Sequence, residues 1–207
     1  VMAGLGATWN ENHLVPITRN GVLEDVYWTY SYSPIDDQNA PHGVGGVLVV
    51  CTETTHQVLA KMQLETETDR LREMFDQAPG FMALLSGPDH VFQATNAAYL
   101  QLIGHRNLIG KPVRDAVPEA EGQGFLDLLD QVYCSGEAYV GRGIGVELQR
   151  SPGAPTERRY LDFVYQPISD QNGQTTGIFV EGSDVTDRQR AEAALRDTEQ
   201  KFEAITN

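Results

Sequence analysis

Side chains able to do chemistry are sparse in this sequence, and their spacing argues against catalysis within it. The two cysteines, Cys51 and Cys134, argue against a disulfide framework or a structural zinc site. Cys134 falls at an expected helix end with no basic neighbour to activate it, so a buried or idle thiol is expected. His90 and His105 fall in an expected turn and an inter-helix loop, where solvated side chains are expected rather than ligands. No glycine-rich loop precedes a helix, no set of metal ligands is suitably spaced, and no histidine is followed by the Glu-Leu/Phe-Arg pattern of a phosphoacceptor helix. The richest glycine stretch, Gly141-Arg142-Gly143-Ile144-Gly145, runs into a strand rather than a helix and so makes no phosphate cradle. What remains is a pair of short polar signatures, Glu53-Thr54-Thr55 and Asp184-Val185-Thr186, each standing just before a helical segment. Carboxylate and hydroxyl oxygens there accept hydrogen bonds from the unpaired N–H groups of a first helical turn. The chemistry of Glu53, Thr55, Asp184 and Thr186 is therefore that of a strand-to-helix junction.

The elements that place these junctions occur twice. Tyr160 to Asn172 reads YLDFVYQPISDQN, and Tyr27 to Asn39 reads YWTYSYSPIDDQN, with seven of thirteen paired positions identical. Average composition would give about one by chance. That is an internal repeat, and it governs any reading of the fold. Both copies alternate with the period of a half-buried strand: Leu161, Phe163 and Tyr165 share one face, as do Trp28, Tyr30 and Tyr32. Turn residues follow, Asp-Gln-Asn-Gly at 170–173 and Asp-Gln-Asn-Ala at 37–40, and then a second apolar run, Gly177 to Gly182 or Gly46 to Cys51. The repeat extends upstream, where Leu14 to Arg19 corresponds to Gly145 to Arg150 as a strand and residues 1–8 correspond to 132–139. Loops follow at Asn20-Gly21 and at Ser151 to Pro155.

Between the copies lies one complete unit. Phe81 to Ser86 and Val91 to Thr95 read as strands joined at Gly87-Pro88-Asp89, Asn96 to Ile103 as a short helix stopping at Gly104, and Gly124 to Cys134 as a longer amphipathic helix. The order predicts an α+β domain: a five-stranded antiparallel sheet with short helices gathered on one face. The expected division is residues 1–55, the C-terminal half of one such domain; 56–74, a linker helix; 75–187, a complete domain; and 188–207, an outgoing helix. At heptad spacing the helices carry the seams Leu64, Glu67, Leu71, Met74 and Leu195, Thr198, Phe202, Ile205, short and imperfect stripes that suit either helix pairing or packing on a domain. Overall composition is that of a globular protein, with 41% hydrophobic and 21% charged residues. A formal charge of −14 opposes a nucleic-acid surface. No run approaches the roughly 18 apolar residues of a membrane span, so no membrane span and a cytoplasmic location are expected.

The ordered set of elements resembles PAS domains, the sensory modules of bacterial signalling proteins. The residues that carry the resemblance are the entry Phe75-Asp76-Gln77-Ala78-Pro79, the run Ala94-Thr95-Asn96-Ala97-Ala98-Tyr99, the strand ending in Pro-Ile before Asp-Gln-Asn-Gly, and the closing Asp-Val-Thr. The resemblance implies a pocket between sheet and helices, with Phe81, Tyr99, Leu102, Val113, Phe125, Leu128, Val132, Phe163, Tyr165 and Ile178 as candidate lining for a small-molecule ligand, or as a packed core without one. It implies a signalling role for Asp184 and Thr186, with Glu53 and Thr55 standing in for them in the first repeat. A flavin photoadduct is not expected, because Gly110-Lys111-Pro112-Val113-Arg114 has valine where light-sensing relatives carry the reactive cysteine. Haem is not expected either, for want of a histidine placed to be an axial ligand. The cofactor is left unassigned.

By the same resemblance, the chain is expected to be a non-catalytic sensory segment of a longer protein, most simply a cytoplasmic two-component sensor histidine kinase acting as a homodimer through its helices. Input regions of diguanylate cyclases or transcription regulators, and a ligand-free dimerisation or spacer module, are the alternatives. The first repeat lacks the equivalent of residues 75–131, so its Trp28, Tyr30 and Tyr32 face is expected to be exposed, or covered by upstream chain or a neighbour.

Overall fold

Alternating burial along each strand decides which face of the sheet the helices cover. In β7 (Glu157–Ser169), Leu161, Phe163 and Tyr165 are buried, Asp162 and Val164 are half-buried, and Gln166 is exposed. The computed structural model describes residues 6–149 and 155–206, apart from the side chains of 41 and 202–206. The alignment over residues 1–5, the loop over 151–154 and the seam side chains Phe202 and Ile205 therefore lie outside the described residues. The chain divides into two compact units, Val1–Leu71 and Arg72–Asn207.

The first unit is an antiparallel sheet in the order β1 (Thr8–Arg19), β2 (Val22–Asp36), β3 (Val44–Glu53), from which helix α1 (Thr55–Gln77) leaves. Asn20 and Gly21 both adopt positive φ, 52° and 81°, as a two-residue hairpin turn requires. Among the described residues β3 has no second neighbour. Of the expected open face, Tyr32 is exposed, whereas Trp28 and Tyr30 are half-buried. Tyr30 is shielded from both sides, stacked on His13 and edge-on to Tyr32, and its hydroxyl lies 2.9 Å from His13 Nδ1. No residue of α1 is buried, and Leu64, Leu71 and Met74 point to solvent.

The second unit is a five-stranded antiparallel sheet in the order β5 (Val91–Thr95), β4 (Phe81–Ser86), β8 (Thr175–Asp184), β7, β6 (Tyr139–Leu148). Helices α2 (Ala97–Ile103), α3 (Val113–Ala116) and α4 (Phe125–Ser135) close over one face, and α5 (Thr186–Thr206) leaves from β8. One apolar core joins sheet and helices, with Ala83, Phe92, Leu129 and Ile178 among its most buried members. Each fully buried large apolar side chain contributes about 1.5–3 kcal/mol.

The repeat reaches into irregular features. The first and second copies each carry a bulge in the edge strand, between Asn10 and His13 and between Gly141 and Ile144. Asn12 and Gly143 sit in the bulges with φ of 51° and 59°. The freed N–H is taken up in both cases by the neighbouring strand: Asn12 donates to Thr29 Oγ1 at 3.1 Å and Gly143 to Asp162 Oδ1 at 2.6 Å. The Asp-Gln-Asn turns match as well, with Asp37 accepting from the Asn39 N–H and Asp170 from the Asn172 N–H.

The strands run through their prolines, β2 through Pro34 to Asp36 and β7 through Pro167 to Ser169. The pairing explains why. β1 has its last partner at Tyr32 and β6 at Tyr165, so each proline, lacking an N–H, lies where its strand has a neighbour on one side only. His90, expected to be solvated, is buried. With φ of 53° it turns its ring inward, where Nε2 lies 2.8 Å from Asp130 Oδ1 on α4 and the ring meets Tyr133 edge-on.

Close approach of strands leaves no room at Gly177, where a Cβ would stand 2.4 Å from the backbone oxygen of Leu85. Gly177→Ala is expected to cost about 1–3 kcal/mol through overpacking. Urea unfolding should show a lower midpoint at unchanged slope.

Candidate functional site

The site is assembled from the start of α2 outward. Asn96 is fully buried, and its side chain makes several bonds at once. Oδ1 accepts from the N–H groups of Tyr99 at 3.0 Å and Met82 at 2.8 Å, while Nδ2 donates to the Gly80 carbonyl at 2.8 Å. One amide thereby caps α2, fixes its register on β4 and sets Tyr99 at the first turn, facing the sheet. Phe81 and Phe92 meet the Tyr99 ring edge-on at centroid distances of 6.0 Å and 5.8 Å.

The far wall comes from β7, where Phe163 and Tyr165 lie 4.8 Å apart and Phe163 packs on Phe125 at 5.8 Å. The roof is the segment between α2 and α4, tied to edge strand β6 by polar bonds. Arg106 pairs with Glu119 and donates to the carbonyls of Ala116 and Gln149. Gln123 completes the tie, its Oε1 accepting from the Glu147 N–H at 2.7 Å and its Nε2 donating to the Glu147 carbonyl at 2.9 Å. Burial pushes the Glu119 carboxyl up, but its bonds to Arg106 and to backbone N–H groups outweigh this and hold it below the usual range.

These elements line a partly open cavity of about 70 Å³. Phe81, Tyr99, Leu102, Val113 and Phe125 line it from the helix side and β4, and Phe163 and Tyr165 from β7. The other three expected lining residues lie outside that wall. Val132 and Ile178 are buried in the surrounding core, and Leu128 is half-buried beside it on α4. No Lys, Arg, His, Asp, Glu or Cys side chain is among the lining residues. Burial raises the Tyr99 phenol, and burial followed by the proximity of Tyr99 and Tyr139 raises that of Tyr165.

A second, polar crevice lies beside the cavity, lined by Arg159 and Asp184 together with Pro79, Ala98 and Gln101. Phe81 and Leu102 line both spaces and form a shared partition. Asp184 belongs to the junction with α5. Its Oδ1 accepts from the Thr186 N–H at 2.9 Å and from the Thr186 hydroxyl, and its Oδ2 from Arg159 at 3.0 Å. Thr186, fully buried, uses Oγ1 to accept from the Tyr160 N–H at 2.9 Å, while Val185 N–H donates to the Tyr160 carbonyl. Burial alone would raise the Asp184 carboxyl; the Thr186 bonds and Arg159 outweigh it, and the net direction is down. On the outer face, Asp162 links the Gly143 bulge to Arg188 of α5 at 2.8 Å, and these contacts lower its pKa too.

The first unit repeats the junction on the backbone and varies it in side chains. Thr55 Oγ1 accepts from the Tyr27 N–H at 3.0 Å, and Thr54 N–H donates to the Tyr27 carbonyl at 2.8 Å. Glu53 pairs with Arg19 from the end of β1, whereas Asp184 takes its arginine from β7. The longer carboxylate thus reaches a different partner without disturbing the threonine bond.

Sequence reasoning missed Arg159, the Arg106–Glu119 tie and the special role of Asn96. Only Asn96 carried a local signal, an asparagine directly before a helical run. The exposed thiols of Cys51 and Cys134 take no part in the cavity or in either junction.

The PAS fold family matches residues 75–190. A PAS domain from Colwellia psychrerythraea is similar at 14% identity and a TM-score of 0.46, covering 58% of this chain and 98% of that one. The PAS domain of BvgS from Bordetella pertussis is similar at 20% identity and a TM-score of 0.48, with 66% and 98% covered. The VqmA dimer of Vibrio cholerae is similar at 22% identity and a TM-score of 0.47, with 57% of this chain and 52% of that one covered.

Two outcomes follow from the junction. Thr186→Val keeps the shape but strands the part-buried Tyr160 N–H, and is expected to cost about 1–3 kcal/mol in denaturant unfolding. Asp184, Asp162 and Glu119 all have folded-state pKa values below their unfolded ones, so the stability they contribute is full above the ordinary carboxylate range and lost as pH falls through the lowered values. Melting temperature should drop steeply below about pH 4. Asp184→Asn should flatten that drop; an unchanged acid limb would remove Asp184 from the account.

Proposed function

The chain belongs to the PAS family, and on that premise we propose that it is the sensory segment of a cytoplasmic two-component histidine kinase, relaying the state of its cavity through α5. One observation supports the reading above others. Phe81 and Leu102 form a partition between the apolar cavity and the crevice that holds Arg159 and Asp184. A molecule entering the cavity displaces those two side chains, and their displacement alters the geometry of the Arg159–Asp184 pair. That pair helps hold the first turn of α5, so its loosening changes where the outgoing helix starts and how it is presented. A coupling of only about 1–3 kcal/mol is enough for regulation.

In this reading catalysis is carried by a kinase output domain of the same protein, and the segment works as a homodimer. Leu64, Leu71 and Met74 on α1 and Leu195 on α5 are exposed at heptad-like spacing, which supports helix pairing between copies. Among the described residues no helix is long and apolar enough to cross a membrane. A second reading, a dimerisation spacer that binds no ligand, draws support from the small size of the cavity, about 70 Å³.

The two readings part on Asp184→Ala in the kinase-bearing protein. Sensing predicts autophosphorylation changed several-fold while far-UV circular dichroism stays that of the parent. A fully folded variant with unaltered output would sink the relay and leave the spacer.

A further inference from the structure

Tyr165 is a polar side chain more than nine-tenths buried, lining a cavity whose other walls are almost wholly apolar. Tyr99 lines the same space. Among the described residues neither hydroxyl has a hydrogen-bond partner, although the Tyr99 backbone N–H is held by Asn96. Both side chains line the cavity, so hydroxyls without a protein partner are open to hydrogen bonding by a molecule that enters it.

We propose that this cavity binds a small neutral molecule of a few non-hydrogen atoms, a short-chain alcohol, aldehyde or ketone, whose single oxygen bonds the hydroxyls of Tyr99 and Tyr165 and whose hydrocarbon part packs on Leu102, Phe125 and Phe163. The proposal rests on the sensing function set out above and names its ligand class.

Three features set the chemistry. Charge is excluded first, because no ionisable side chain other than the two phenols lines the space and an unpaired ion there would lose its hydration without compensation. Polarity is limited to one group, since a phenol both donates and accepts and two phenols on one small cavity suit one carbonyl or hydroxyl oxygen. Size follows from volume: a cavity of about 150 Å³ holds benzene, so the 70 Å³ here takes about three or four non-hydrogen atoms. A ligand so small binds weakly. Its efficiency ceiling places the dissociation constant no tighter than about tens of micromolar, which suits a sensor of an abundant metabolite or solvent-like product.

The test is saturation-transfer NMR titration of the 207-residue chain with 1-propanol and acetone, alongside the similarly sized ions propionate and propylammonium. The neutral probes are expected to bind saturably at submillimolar to millimolar concentration and the ions not at all. The Tyr99→Phe/Tyr165→Phe variant should weaken the neutral probes at least fivefold. Ions binding as well as the neutral probes would overturn the assigned class while leaving the sensing reading standing. Neutral binding indifferent to loss of both hydroxyls would overturn the role of the phenols. If no probe binds and the double variant is more stable than the parent, the cavity is packed core, and ligand class and sensing fail together. The comparison of ions with neutral probes needs no variant, so it decides the class even if the double variant does not fold.

Discussion

The hydroxyl of Thr186 is the bond on which the rest depends. It is fully buried, at the point where a strand becomes a helix, and a helix start there leaves N–H groups that water does not reach. By accepting from Tyr160 on β7 while its own N–H and hydroxyl donate to Asp184, Thr186 joins two neighbouring strands and the first turn of α5 in a single network. The direction of the outgoing helix is thus set by the sheet. A displacement of β7 at Tyr160 is transmitted to the start of α5 through these bonds.

The duplicated half shows which parts of that network are obligatory. Thr55 reproduces the backbone bond of Thr186, and Thr54 reproduces that of Val185, so the threonine oxygen and the strand N–H are the invariant pair within this chain. The carboxylate and its arginine are interchangeable in kind. Glu53 reaches Arg19 on β1, whereas Asp184 reaches Arg159 on β7, and both acids end below their ordinary pKa. An exposed ion pair such as the first contributes little to stability, which leaves its position free to change.

The sheet was legible in the sequence because its signals are local. Period-two alternation from Tyr160 to Gln166, turn residues after Pro167 and a helix start after Asp184 each occupy a few adjacent positions, and their repetition 130 or so residues apart removed the ambiguity that a single copy leaves. The cavity was legible in part. Phe163 and Tyr165 followed from strand phase, but whether Val132 and Ile178 line the space or pack behind it depends on how far α4 stands from β8, and no neighbouring residue reports that distance. His90 was misjudged for a related reason. A turn residue is ordinarily solvated, and only a carboxylate forty positions later, Asp130, together with a left-handed backbone, draws this one inside. The Arg106–Glu119 tie to β6 is likewise a product of tertiary placement.

The bulges have a consequence for how the molecule coexists with its neighbours. A regular edge strand offers a row of free N–H and C=O groups on which another chain can add a strand. At β6 that row is interrupted twice, by the Gly143 bulge that twists the strand and by the Gln123 amide that occupies both backbone groups of Glu147. β1 is interrupted in the same way at Asn12. The opposite edge of the first sheet, β3, has only one irregular step in its pairing, close to its start, and runs regularly through Val47, Leu48, Val49 and Val50. Among the described residues, the bulges thus break the free edges of β1 and β6, whereas β3 keeps a regular edge from Gly46 onward.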